Sequence, residues 1–167
     1  PLLSGLATLV LAGLTVRRNQ DYRSAVELMR LTVECAPHHA RARINLATAL
    51  QMEDRPKEAI AVLEEALRLD PREGFIYLNL GMAYMALEQV DRAIPLLERG
   101  AEMVEGRASL AATFHEELGR ALFLKNDHAG SIMQFEKALA IEPRNAFVHC
   151  RLAYALGRLK RGDEALQ

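Results

Sequence analysis

Residues 42–71 read ARINLATALQMEDRPKEAIAVLEEALRLDP, and the pattern of this stretch recurs along the chain. Its second half carries small and apolar residues at spacings of three and four, which places them on one helix face: Ala59, Ile60, Leu63, Ala66 and Leu67. Asp70-Pro71 ends that helix, because proline restricts the residue before it and cannot continue the hydrogen-bond ladder. A first helix over 42–50 and a turn at 53–56 precede it. The stretch therefore predicts a pair of amphipathic helices.

The helix pair recurs with a period of 34 residues, which the closing prolines Pro37 and Pro71 mark. Five units result, the last one truncated: 6–39, 40–73, 74–107, 112–145 and 146–167. Small residues hold matching places in every unit, as closely crossing helices require. They are Gly13, Ala47, Gly81, Gly119 and Ala153, then Ala25, Ala59, Ala93, Ser131 and Ala165, then Thr32, Ala66, Ala101 and Ala138. This periodicity predicts an all-α solenoid of antiparallel helix pairs in a single elongated domain, residues 1–167.

The third unit departs from the pattern at its end. Glu105 stands where the other units carry the closing proline, and Gly106 and a four-residue insertion, 108–111, follow it. We expect a longer second helix or a displaced turn at this place, with a local change in the pitch of the superhelix.

The recurring small residues, large apolar residues and closing prolines resemble those of the tetratricopeptide repeat (TPR) family. The resemblance implies a right-handed superhelix whose first helices line a concave groove for a protein or an extended peptide. The implied groove residues are Arg41, Ile44, Asn45, Thr48, Phe75, Leu78, Asn79, Met82, Met85, Arg120 and Phe123. Asn45 and Asn79 hold equivalent places, so they either bind a peptide backbone as an asparagine ladder or simply cap and solvate the groove. The carboxylate clamp of chaperone-binding members is not supported, because apolar residues fill its positions.

The first 16 residues contain no charge, and Arg17 and Arg18 follow directly. A repeat helix that faces water should be amphipathic. Sixteen helical residues span roughly 24 Å, which is short of the roughly 30 Å hydrocarbon core of a membrane. We therefore predict that 1–16 is the end of a transmembrane helix. We also predict that the chain is a fragment, because it does not begin with Met. The alternative is a repeat helix buried under an absent preceding repeat.

The passage from Arg17 to Ala47 is similar to the junction between the last membrane helix and the repeats in transmembrane-and-TPR O-mannosyltransferases. This resemblance implies that a membrane glycosyltransferase lies upstream and that the repeats face the lumen or periplasm. Arg17, Arg18, Arg23 and Arg30 favour the cytoplasmic side instead. Three functions stay open: a protein-binding arm of a membrane protein, an arm that presents the acceptor of a glycosyltransferase, and a cytosolic assembly adaptor. An apolar first helix also favours an end-to-end homodimer of the fragment.

The sequence predicts no catalytic residue, metal site or cofactor for this stretch. His115-Glu116-Glu117-Leu118-Gly119 begins like a zinc-binding motif but carries Gly119 where the second histidine belongs. His38-His39 has no further ligand nearby in sequence. Because a solenoid would hold them far apart, Cys35 and Cys150 are not expected to form a disulfide. The net charge of −1 gives no reason to expect nucleic acid as a partner.

Overall fold

The computed structural model describes residues 25–104 and 106–165. Within these residues the regular structure is helical: α1 (Ala25–Cys35), α2 (Ala40–Met52), α3 (Pro56–Leu69), α4 (Gly74–Ala86), α5 (Val90–Glu102), α6 (Ala108–Leu124), α7 (His128–Ile141) and α8 (Ala146–Ala165). Each helix packs on the next, and α4 also contacts α2 and α6. The predicted all-α solenoid is therefore confirmed. The predictions for 1–16 and for Gly13 lie outside the described residues.

Small residues allow the two helices of a pair to cross closely. A Cβ atom added to Gly81 would lie 2.6 Å from the side chain of Leu97, and one on Gly119 would lie 2.6 Å from the ring of Phe135.

The prediction of the small residues fails at four described positions. Ala25, Thr32 and Ala153, which lie on the terminal helices α1 and α8, are exposed. In the third unit, the buried third small residue is Gly100, whereas Ala101 is half-buried. A shift of one position rotates a side chain by about 100° around a helix, which explains the change of face.

The first helix of each of three pairs ends in the same type of turn. The backbone becomes left-handed two residues beyond the helix, at Asp54 (φ 56°), Glu88 (φ 59°) and Asn126 (φ 65°). The next N–H then bonds back to the third-last carbonyl of the helix, as the 2.9 Å bond from Gln89 to Tyr84 shows. These bonds satisfy carbonyl groups that would otherwise lack partners, so the helices can end within three-residue turns.

The four extra residues lengthen a first helix. The second helix of the third unit, α5, ends at Glu102 after 13 residues, so the expectation of a longer second helix is wrong. The extra residues instead form the start of α6, which has 17 residues where α4 has 13. Gly106 lies in the intervening turn at φ 82°. Because that backbone conformation suits glycine and no helix, it separates the two helices.

The repeat pattern predicts that the residues from Gly162 onward begin the second helix of the fifth unit, but the described residues form one continuous helix instead. The helix α8 runs over 20 residues from Ala146 to Ala165. Because helix propagation is cheaper than helix initiation, residues Gly162 to Ala165 continue α8.

The buried side chains form two separate clusters. The larger cluster extends from Val26 on α1 to Ala121 on α6. The smaller cluster lies between α7 and α8 and contains Phe135, Ala138, Val148 and Ala155. In a solenoid, each part of the core is stabilised mainly by neighbouring units, so these clusters can respond differently to mutation.

Ser131 marks a site where the core can be improved. Its side chain is fully buried, and its hydroxyl has no hydrogen-bond partner in the described structure. Alanine fills the equivalent buried position at Ala59 and Ala93. We expect Ser131→Ala to raise the free energy of unfolding by about 1 kcal/mol, because a buried hydroxyl without a partner costs about that much. Urea denaturation measures the change.

The reverse substitution, Ala93→Ser, is the matched control and should lower the free energy of unfolding by a similar amount. A loss of stability in Ser131→Ala would show that the hydroxyl is hydrogen-bonded in solution.

Candidate functional site

The first helices α2, α4, α6 and α8 share one continuous surface, which we call the first-helix surface. Its exposed and half-buried side chains are Arg41, Asn45, Thr48, Phe75, Asn79, Met82, Arg120, Phe123, Arg151 and Tyr154. These residues recur at three- and four-residue spacings within each helix, so each helix contributes one stripe. Contacts between the stripes join them from α2 to α8.

At the α2 end, Arg41 covers the aromatic ring of Phe75. The guanidinium carbon lies 5.2 Å from the ring centroid, and its Nη2 lies 3.6 Å from a carboxylate oxygen of Glu73. Glu73 also caps α4, because its side chain accepts a hydrogen bond of 3.3 Å from the Phe75 N–H. A guanidinium over a ring is favourable, so this contact holds a cationic and an aromatic group side by side.

Asn79 joins α4 to α2 in the middle of the surface. Its amide nitrogen donates a 2.8 Å hydrogen bond to the Phe75 carbonyl of its own helix. The side-chain amide of Gln51 donates a 3.1 Å hydrogen bond to the backbone carbonyl of Asn79. One N–H of the Asn79 amide is thus used within α4, and the backbone-binding ladder with Asn45 remains a prediction.

A first cavity of about 260 Å³ opens where α2, α4 and α6 meet. Its lining residues are Gln51, Asp54, Pro56, Met82, Met85, Ala86, Arg120 and Leu124. On the adjoining surface beyond Pro56, hydrogen bonds from Arg55 hold the pKa of the Glu58 carboxyl below its usual value. This cavity brings the predicted residues Met82 and Arg120 together.

A second cavity of about 210 Å³ lies between α6 and α8. Its lining residues are Arg120, Phe123, Leu124, Phe135, Arg151 and Tyr154. Arg120 bonds Glu117 at 2.5 Å, and Arg151 pairs with Glu116 across the two helices. The two cavities share Arg120 and Leu124, so they are parts of one groove.

Two predicted groove residues, Ile44 and Leu78, are buried in the larger core cluster, with 5% and 6% of their surface exposed. Their side chains pack between helices and support the surface from beneath, which corrects the prediction that they face the groove. Met85 belongs to the same cluster and is 7% exposed, but it also lines the first cavity.

Sequence reasoning missed Leu124, Phe135 and Arg151 as lining residues of the second cavity. Phe135 belongs to a second helix, which the repeat pattern assigns wholly to packing. One sequence feature could have indicated its role. The ring of Phe135 packs against Gly119, whereas in the preceding unit the smaller side chain of Leu97 packs against Gly81. A ring reaches further past the glycine than a leucine does.

The described residues contain no group of three or more His, Cys, Asp and Glu side chains that could hold a metal ion. His115 is instead hydrogen-bonded to Gln134 at 2.9 Å. Cys35 and Cys150 are both free and exposed. In the same part of the chain, none of the helices combines the length and apolar character that a membrane span needs.

Comparisons with known proteins point to one family. Models of the tetratricopeptide repeat match residues 10–73 and 50–114, which overlap and together cover more than half of the chain. The crystal structure of MamA superimposes with a TM-score of 0.72 at 21% identity, over 90% of this chain and 85% of that one. At this identity the likeness shows the fold.

Two curated relatives differ in their names and in the extent of the match. DnaJ homolog subfamily C member 7 of Mus musculus is 27% identical over 154 residues, which cover 87% of this chain and 31% of that protein. Protein O-mannosyl-transferase TMTC1 of Homo sapiens is 37% identical over 76 residues, which cover 46% of this chain and 9% of that protein. The chain therefore spans less than a third of either relative.

Proposed function

Because this chain belongs to the tetratricopeptide repeat family, we propose that it is a scaffold that binds an extended segment of another protein along the first-helix surface. The continuity of that surface carries the proposal, since contacts join the four first helices from Arg41 to Tyr154. Stacked helix pairs commonly use such extended surfaces for binding. In this proposal the role of this stretch is binding and not catalysis.

The chemistry of the surface suits a peptide. Phe75 and Met82 on α4 and Phe123 on α6 provide apolar contact area on two successive first helices. Methionine adapts to partners of different shape, because its side chain is flexible and polarisable. Asn45 and Thr48 supply polar atoms of the kind that bind peptide groups.

We expect the double substitution Phe75→Glu with Met82→Glu to weaken peptide binding at least about thirtyfold, which corresponds to the loss of a hot spot of about 2 kcal/mol. The probes are peptides selected on the unmodified chain from a random library by phage display. Fluorescence polarisation gives the dissociation constants, and circular dichroism reports helicity.

Met133→Glu is the matched control. Met133 is 49% exposed on α7, a second helix, so the same change in chemistry there should leave affinity unchanged. Undiminished affinity in the Phe75→Glu, Met82→Glu variant, with helicity retained, would refute the groove assignment.

We propose further that the parent protein is anchored in a membrane through 1–16, with the repeats on the extracytoplasmic side. The uncharged composition of 1–16 supports this proposal. The similarity to TMTC1 favours a second candidate function, in which the repeats present the acceptor of a membrane glycosyltransferase. The competing proposal is a cytosolic assembly adaptor whose first helix is covered by another repeat or by a second copy in an end-to-end homodimer.

Flotation with liposomes separates these proposals. We expect residues 1–167 to float with the vesicles and residues 19–167 to stay at the bottom of the gradient, because only the longer form carries the uncharged segment. If neither form floats, the membrane proposal fails and the adaptor proposal takes its place. Sedimentation at several concentrations then tests for the homodimer.

A further inference from the structure

The cavity between α6 and α8 has the size of a site for one side chain. Its volume of about 210 Å³ is below the roughly 300–1,000 Å³ that is common for small-molecule sites. Phe135 of α7 forms its floor, and α6 and α8 form its walls. The cavity therefore suits a single bulky side chain of a bound peptide.

The walls of the cavity are aromatic and partly exposed. The rings of Phe123 and Tyr154 are tilted by 42° to each other with centroids 5.3 Å apart, and the centroid of the His128 ring lies 5.0 Å from that of Phe123. Leu124 is 54% exposed and Tyr154 is 61% exposed. Apolar surface that remains in contact with water favours an apolar ligand group, above all an aromatic one, which can pack on both rings.

The charged residues of the lining are both arginines. The carboxylates of their partners lie deeper, since the side chains of Glu116 and Glu117 are 19% and 9% exposed, against 35% and 37% for those of Arg151 and Arg120. Each ion pair uses one terminal nitrogen of the guanidinium, which carries five N–H donors in all. Both arginines line the cavity, so their remaining N–H donors can bind a carboxylate of the ligand.

We propose that this cavity binds an aromatic side chain of a peptide that carries an aspartate or glutamate within two residues of it. This inference rests on the proposed peptide-binding function and specifies its partner. In an extended peptide, side chains two residues apart lie on the same face, so a ring and a carboxylate can reach the aromatic walls and the arginines together.

The probe is a fluorescein-labelled nine-residue peptide of glycine and serine with a central phenylalanine and an aspartate two residues away on either side of it. Two comparison peptides replace the aspartates by lysine or the phenylalanine by alanine. We expect the acidic aromatic peptide to bind at least about tenfold more tightly than either comparison peptide, because one lacks the charge-assisted hydrogen bonds to the arginines and the other lacks the ring that packs on the aromatic walls. Inorganic phosphate alone should compete weakly.

Variants of the chain test the two parts of the site separately. Tyr154→Ala changes an exposed ring and should weaken the acidic aromatic peptide about tenfold, a typical effect of removing a contact of this size. Arg151→Gln with Glu116→Gln removes the ion pair without leaving a lone charge, and it should reduce the preference for aspartate over lysine. Glu116→Gln alone should increase that preference. Lys137→Gln on α7 is the control and should change nothing.

The outcomes separate this inference from the general function. If library-selected peptides bind the first-helix surface but are insensitive to Tyr154→Ala and to peptide charge, the cavity assignment is overturned and the scaffold function stands. If no peptide binds, both fail. Equal competition by phosphate and by the peptide would show an anion site without the aromatic component, which also overturns the inference.

Discussion

Alanine in place of Phe114 should lower the free energy of unfolding by about 3–5 kcal/mol. Phe114 is fully buried where α6 docks on the pair α4 and α5. Its ring fills the space beside Gly100, since a Cβ atom there would lie 2.5 Å from the ring carbon Cζ. Removal of the ring leaves a cavity at the joint between the third and fourth units, which the helices can close only in part. Urea denaturation followed by circular dichroism measures the loss.

Phe147→Ala is the control for this substitution. Phe147 is 77% exposed on α8, so the same truncation should change the free energy of unfolding by less than about 0.5 kcal/mol. A loss below about 1 kcal/mol in Phe114→Ala would contradict the packing of α6 described here, because truncation of a well-packed ring costs several times more.

A double-mutant cycle shows whether the ring itself requires the glycine. In the unmodified chain, Gly100→Ala should cost about 1–3 kcal/mol through overpacking against Phe114. In the Phe114→Ala background the added methyl group enters the new cavity, so most of that cost should disappear. The remainder comes from Tyr77, whose Cβ lies 2.8 Å from the added atom. Equal costs in both backgrounds would show that the two positions are independent.

The helix pairs could be predicted from the sequence because their determinants are local. The closing prolines and turns indicate where each helix ends. The small residues, which recur at a fixed period, indicate which face of the helix is buried. Ala59 and Ala93 are fully buried, as that pattern requires. Gly100 and Ala101 are adjacent and both small, so the sequence alone does not show which of them is buried. The prediction of Ala101 was therefore wrong by one position.

The helix that contains the extra residues 108–111 could not be predicted from the local sequence. Both neighbouring segments favour helix, so the sequence did not indicate whether the insertion would lengthen α5 or α6. The left-handed backbone at Gly106 separates the two, and it leaves the extra residues to α6. A glycine in a loop permits that conformation but does not require it.

The candidate site was harder to predict than the fold, because it depends on how neighbouring helices approach. Arg41 and Asn45 are exposed as expected, whereas Ile44 on the same helix is buried against the core. Adjacent positions differ by about 100° around a helix, so a small rotation exchanges an open face for a packed one. The contribution of Phe135 depends on a neighbouring second helix, and a single helix pattern contains no information about it.

Phe135→Ala should destabilise α7 and α8 by about 3–5 kcal/mol while α2 to α5 keep their protection against hydrogen exchange. Phe135 is 1% exposed and is the largest side chain of the smaller core cluster. Because units of a solenoid are stabilised by their neighbours, loss of this cluster should open the chain from the α8 side. Hydrogen exchange measured by mass spectrometry resolves the helices separately.

Leu63→Ala is the matched substitution in the larger cluster, where it should raise exchange in α2 to α5 instead. Uniform exchange along the chain in both variants would show that the array unfolds as one cooperative unit. The distinction bears on binding, because Phe135 also forms the floor of the cavity between α6 and α8. If the two clusters are independent, Phe135→Ala should abolish the preference for acidic aromatic peptides and leave contacts at Phe75 and Met82 intact.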